Sequence, residues 1–150
     1  MEVCIKNIYD SLLPGGYLSA SEFISPSRYK YSQEEIDLIN EARSMLPVEL
    51  GGNTLFDLAE LRAKLDADPS EAIRSDEINE IINRTFDTVI VKSYGGNILM
   101  RALGQDFFKN YSSDNLSHNK AILRLIDFEK ELLKDSIKSH HAFFVGYKTQ

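Results

Sequence analysis

The sequence predicts an α+β fold, mainly helical, with about five helices and a small sheet formed by residues near 88–94 and 141–147. Three observations predict it. Apolar residues recur at helical spacing along most of the chain. β-Branched residues crowd at Thr88, Val89, Ile90 and Val91, and a second short apolar run stands at Ala142-Phe143-Phe144-Val145. Glycine and proline mostly fall between these segments, as at Pro14-Gly15-Gly16, Pro47, Gly51-Gly52 and Gly95-Gly96. A chain of 150 residues, 43% hydrophobic and 27% charged, fits a single globular domain with a core of its own.

Each element has a local reason. Residues 4–13 predict a short helix ended by Pro14-Gly15-Gly16. Residues 17–31 read as irregular, because Ser25-Pro26-Ser27 breaks any helix begun near Ser21. Ser32-Gln33-Glu34-Glu35 is a capping box, with the Ser32 hydroxyl and the Glu35 carboxylate each serving the other's backbone N–H. The helix it opens buries Ile36, Ile39, Ala42 and Leu46 and stops at Pro47. Gly51-Gly52-Asn53 predicts a turn, and Thr54 a cap for a helix over about 55–65 with Leu55, Leu58, Leu61 and Leu65 facing inward. Asp68-Pro69-Ser70-Glu71 predicts a further helix start, pausing near Ser75 and resuming through Ile78, Ile81 and Ile82. The strand over Thr88 to Tyr94 ends at Gly95-Gly96. A helix capped by Asn97 is expected to follow, with Leu99, Met100, Leu103 and Phe107 on one face and Gly104 as a cost of about 1 kcal/mol. After the polar loop from Ser112 to Ser117, a long helix over about 118–138 carries Ile122, Leu125, Ile126, Leu132, Leu133 and Ile137. His141 to Tyr147 predicts a strand beside 88–94.

Charge is distributed unevenly. Residues 31–87 hold 14 acids against 5 bases, whereas the chain as a whole is only −6. Such asymmetry speaks about partners rather than fold. Outward-facing acids are expected on successive helices: Glu34, Asp37 and Glu41, then Asp57 and Glu60, then Asp76, Glu77 and Glu80. If these faces lie side by side they recruit a basic protein, with attraction that salt weakens. The competing reading is a set of solvated faces that also suit the helix dipole.

Other motifs are weaker. Residues 66–77 follow part of the calcium-loop rhythm of the EF-hand, with Asp66, Asp68, Ser70 and Glu77 at oxygen-ligand positions. Glu71 replaces the glycine that the loop needs, so no metal is expected. Thr88 to Leu103 has the strand–Gly–Gly–helix layout of a phosphate site but no lysine after the glycines, and reads as a turn. Arg28-Tyr29-Lys30-Tyr31 mixes bases and aromatics in an acidic chain. Nucleic-acid affinity needs many positive charges, so no direct nucleic-acid contact is expected. His140 and His141, adjacent on a strand, point to opposite faces and cannot share one pocket. Cys4 is the only cysteine and reads as a small buried apolar residue in a reducing compartment. No apolar run approaches the roughly 20 residues that cross a bilayer, and the first residues lack a basic signal segment, so a cytoplasmic location and no membrane partner are expected.

The chain therefore reads as a binding module rather than an enzyme, without a cofactor. It docks on a basic partner, as an inhibitor or immunity-type protein would against a nuclease or toxin. The expected contact residues are Glu34, Asp37, Glu41, Asp57, Glu60, Glu77 and Glu80. The alternatives are a small hydrolase or nuclease using His141 with a distant acid, and a secreted effector or its chaperone.

Overall fold

Ser32 caps its helix as the sequence indicates. Its hydroxyl accepts from the Glu35 N–H at 3.2 Å, and the Glu35 carboxylate takes the Ser32 N–H at 2.8 Å. The computed structural model describes all 150 residues, Met1–Gln150. Its helices are α1 (Glu2–Ser11), α2 (Gln33–Ser44), α3 (Leu58–Ala67), α4 (Ile78–Thr85), α5 (Leu99–Ala102), α6 (Gln105–Asn110) and α7 (Leu116–Asp135). Its strands are β1 (Tyr17–Phe23), β2 (Thr88–Gly95) and β3 (His141–Tyr147). The fold class is α+β, mainly helical with a small antiparallel sheet. No helix is long and apolar enough to cross a membrane.

Two compact units make up the chain. The sheet unit comprises residues 1–29, 70–94 and 139–150. Its strands lie in the order β1-β3-β2, with β3 central. β1 pairs antiparallel with β3 in the register Tyr17 to Tyr147 through Phe23 to His141. Alternation sends Ala142 and Phe144 of β3 into a core with Ile82 and Phe86, against which Ile5, Ile8, Leu12, Leu18 and Val89 pack. The opposite face holds Ser19, Ser21, Phe143 and Val145, and the Tyr94 hydroxyl reaches Ser21 across it at 2.8 Å.

The helical unit comprises residues 30–69 and 95–138. Its core gathers Ile39, Ala42 and Leu46 of α2 with Leu50, Ile98, Ala102, Phe107, Ala121 and Leu125. Asn115 caps α7 by accepting from the N–H groups of Ser117 and His118.

Four expectations need correction. Residues 17–31 are not all irregular, because β1 occupies Tyr17–Phe23. Ser and Ala give that segment weak strand character of its own, and pairing with β3 supplies the rest. The helix expected from 55 begins at Leu58. Asp57 caps it, while the Thr54 hydroxyl donates to the Gly51 carbonyl. No helix starts at Asp68. Residues 69–74 are turns in which Ala72 and Arg74 adopt positive φ, and the chain there is held by tertiary bonds such as Ser75 Oγ to the Ser25 carbonyl at 2.7 Å. The helix expected over 97–111 is two short ones, α5 and α6, because Gly104 turns extended between them.

In the sheet unit, Arg74 donates to Glu2 and to Glu77, and Arg84 lies 3.4 Å from Glu2. The Arg74 guanidinium holds the Glu2 carboxyl down to about 2, from an ordinary 4.5. A carboxyl lowered on folding stabilises the folded state above its unfolded value, and that stabilisation disappears as pH falls. Acid destabilisation of the sheet unit is therefore expected between about pH 4.5 and 2. A carbon-13 titration of Glu2 should show a midpoint near the lower figure, and Arg74→Gln should return it to the ordinary carboxylate range. An unchanged midpoint in that variant rules out the pairing as the cause.

Candidate docking site

The loop between α2 and α3 builds a cavity in the helical unit. Leu50 is buried, Gly51 takes φ +96°, and the Gly51 and Gly52 N–H groups return to the Val48 and Pro47 carbonyls. Asn40 of α2 then accepts the Phe56 N–H at 2.8 Å, and Asp57 opens α3. These bonds set residues 50–61 around one side of a cavity of about 460 Å³, with residues 100–108 on the other. That volume lies within the range of sites that take a ligand or a partner's side chain.

Arg43 forms the polar wall. It projects from the side of α2 opposite the outward acids and donates to the Arg101 carbonyl through Nε and Nη2, at 3.2 and 2.9 Å. Nη1 donates to the Leu55 carbonyl at 2.8 Å, and the guanidinium sits 5.7 Å from the Phe56 ring centre. Burial pushes the Arg43 pKa down, while nearby Glu60 and Asp106 push it back up. Lys64 is paired with Glu60 at 2.6 Å. Asp106 has no ion-pair partner in the chain. The mouth is apolar: Leu55 is 76% exposed, Phe108 74% and Met100 41%.

The structure distributes the seven expected contact acids over separate places. Glu34, Asp37 and Glu41 lie exposed on one face of α2. At about 100° per residue, those three acids are turned roughly 120–180° from Arg43 and hence away from the cavity. Asp57 and Glu60 line the cavity itself. Glu77 and Glu80 belong to the sheet unit, where Arg74 and Arg84 pair with them at 2.5 and 3.7 Å. The acidic stretch is thus divided: its 31–69 portion, nine acids to three bases, is helical-unit surface, and its 70–87 portion, five to two, is sheet-unit surface.

The tyrosines, histidines and cysteine stand in the following surroundings. Tyr29 is buried and donates to Glu71 at 2.7 Å, and the Tyr31 hydroxyl accepts from Arg101 at 2.9 Å, so neither is an open stacking surface. His118 is buried, with Nδ1 accepting the Ser112 N–H and Nε2 lying 3.3 Å from Glu49. His140 is buried against Phe23, and His141 lies between the rings of Phe23 and Tyr94. Cys4 is exposed on α1, not buried, because the apolar side of that helix is set by Ile5, Ile8 and Leu12. In the calcium-like segment, Asp66 and Asp68 belong to one unit and Ser70 and Glu77 to the other, and no group of three or more acids, histidines or cysteines gathers for a metal.

Sequence reasoning missed two residues that organise this region. Glu129 is buried in α7, and its carboxylate accepts the N–H groups of Gly96, Ile98 and Leu99 at 2.6, 2.8 and 2.6 Å. The phosphate-like layout at 88–103 therefore already holds an anion, supplied by the chain itself. The available signal was position: Glu129 stands four residues after Leu125 and three before Leu132, in the middle of an apolar stripe. Arg43 was equally visible, four residues after Ile39 and three before Leu46. Comparison with protein families, curated proteins and solved structures found no match to this chain.

Proposed function

We propose that the protein is a binding module for a basic protein partner, of the inhibitor or immunity type, acting in the cytoplasm. One observation carries this reading: exposed Leu55, Met100 and Phe108 surround a cavity whose wall also holds Asp57, Glu60 and Asp106. An apolar centre with a charged rim is the anatomy of a protein interface. The partner's apolar side chain fills the mouth, and its lysines or arginines meet Asp57 and Asp106, while Glu60 is paired with Lys64 and the wall's Arg43 and Arg101 are turned to the Leu55 and Arg101 carbonyls and to Tyr31. Glu34, Asp37 and Glu41 on the other side of α2 add long-range attraction and speed encounter rather than hold the complex. The exposed, unpaired Cys4 suits a reducing compartment.

The test combines capture with variants. A basic protein retained from native lysate at low salt and released as salt rises is the candidate. Its purified form is then titrated against the variants. Leu55→Asp with Phe108→Ala should raise the dissociation rate, each lost anchor costing about 1–2 kcal/mol or more. Glu34→Lys, Asp37→Lys and Glu41→Lys together should slow association at low salt and leave dissociation nearly unchanged. Binding indifferent to both salt and the Leu55 and Phe108 changes excludes the proposed contact.

A further inference from the structure

His118, in the first turn of α7, is 4% exposed, and both nitrogens of its ring are engaged. The Ser112 backbone nitrogen lies 3.1 Å from Nδ1, and its N–H can only donate. Nδ1 therefore keeps its lone pair, and the ring is neutral with its proton on Nε2. Nε2 faces the Glu49 carboxylate at 3.3 Å, from the Val48–Leu50 turn. The two sides of the ring respond differently to a second proton. An imidazolium donates from both nitrogens. Toward Glu49 the contact strengthens into a charged pair. Toward Ser112 two N–H groups then point at each other, and that hydrogen bond is lost.

We propose that His118 is a proton-operated latch for the junction between α6 and the loop leading to α7. Neutral, the ring holds the Ser112 N–H. Protonated, it releases Ser112 and keeps Glu49. Two features favour release over resistance to the proton. Glu49 is charged, because its own backbone N–H and then the His118 ring hold its carboxyl below the usual carboxylate range. An opposite charge beside an imidazole favours the cation. Residues 112–115 are exposed, so a freed N–H turns to water. Tyr111, its ring centre 6.0 Å from that of the imidazole, also faces His118. The charged residues of the adjoining segments, Asp106 and Lys109 of α6, Asp114 and Lys120, are exposed. Asn119 holds the Ser113 carbonyl at 2.8 Å, which confines the release to the α6 side of the loop. α6 supplies Asp106 and Phe108 to the cavity wall, so the latch tightens or loosens that wall with pH. Its working rests on the contacts of the ring and not on the docking reading above.

Proton and nitrogen-15 NMR of the full chain between about pH 8 and 5 tests the latch. At the upper end the His118 proton should sit on Nε2. As the ring takes up its second proton, the Ser112 amide should shift with the same midpoint, and its protection from exchange should fall roughly fivefold or more. His118→Asn puts an amide oxygen near the place of Nδ1, an acceptor that does not titrate, and should keep Ser112 protected across the range. Glu49→Gln removes the charge that favours the imidazolium and should lower both midpoints together. A Ser112 amide indifferent to His118 protonation overturns the proposal, as does a ring whose first proton sits on Nδ1 or one that stays neutral throughout. These readings on the unmodified chain need no variant to fold. Loss of Ser112 protection in His118→Asn, or midpoints that Glu49→Gln leaves in place, also overturn it.

Discussion

Glu129→Ala is expected to destabilise the helical unit by about 3 kcal/mol or more, read as a lowered midpoint in urea unfolding. The Glu129 carboxylate is buried and satisfies three backbone donors, of Gly96, Ile98 and Leu99. Removing it leaves those donors short of partners, at about 1–3 kcal/mol for each fully buried one. Total stabilities of roughly 5–15 kcal/mol make that a large fraction. Glu129→Gln should fall between. One amide oxygen can still accept, but the amide nitrogen then faces N–H groups and the charge-assisted strength is lost. Glu131→Ala, at an exposed position two residues on, should change little. A Glu129→Ala protein as stable as the Glu131 control would mean that the turn at 95–99 is held by something else.

Gly52→Ala is the second large effect, expected to cost about 3 kcal/mol or more. A Cβ at this position would overlap the Leu46 carbonyl oxygen and crowd the Pro47 carbonyl. Both are backbone atoms in the turn that ends α2, so neither can move aside as a flexible side chain would. The same turn closes through the Gly52 N–H to Pro47 and leads into the wall of the cavity. The loss should therefore appear twice: in thermal unfolding of the helical unit, and as weaker binding of the basic partner under conditions where the variant is still folded. An alanine variant with unchanged unfolding excludes the tight approach of the two backbones.

Much of this fold was legible in the sequence because local chemistry and tertiary structure agree there. The Ser32–Glu35 box, the β-branched run at Thr88–Val91 and the short apolar run at Ala142–Val145 each point to their element locally. Where they disagree, tertiary partners win. Tyr17–Phe23 becomes a strand because β3 is available to pair with it. Asn97, a natural cap by type, is buried instead, donating to Glu35 and to the Lys138 carbonyl, while Glu129 serves the N–H groups at the start of α5. The candidate site was half legible. Asp57 and Glu60 were marked by their charge, but the cavity beside them depends on Arg43 reaching carbonyls at residues 55 and 101, a distance no periodicity reveals. The α2 acids and Arg43 also occupy opposite sides of one helix, so a charge count that pools them loses the distinction.

The central position of β3 has a consequence for biosynthesis. Every strand pairing in the sheet passes through residues 141–147, which leave the ribosome after all the other elements described. Residues 30–138 contain the entire helical unit, so its core can assemble while β1 and β2 still wait, unpaired, for the strand that separates them. During that interval the edges of β1 and β2 that later meet β3 are held unpaired by nascent chains in a crowded cell, and a delay in translating residues 139–150 would lengthen the exposure.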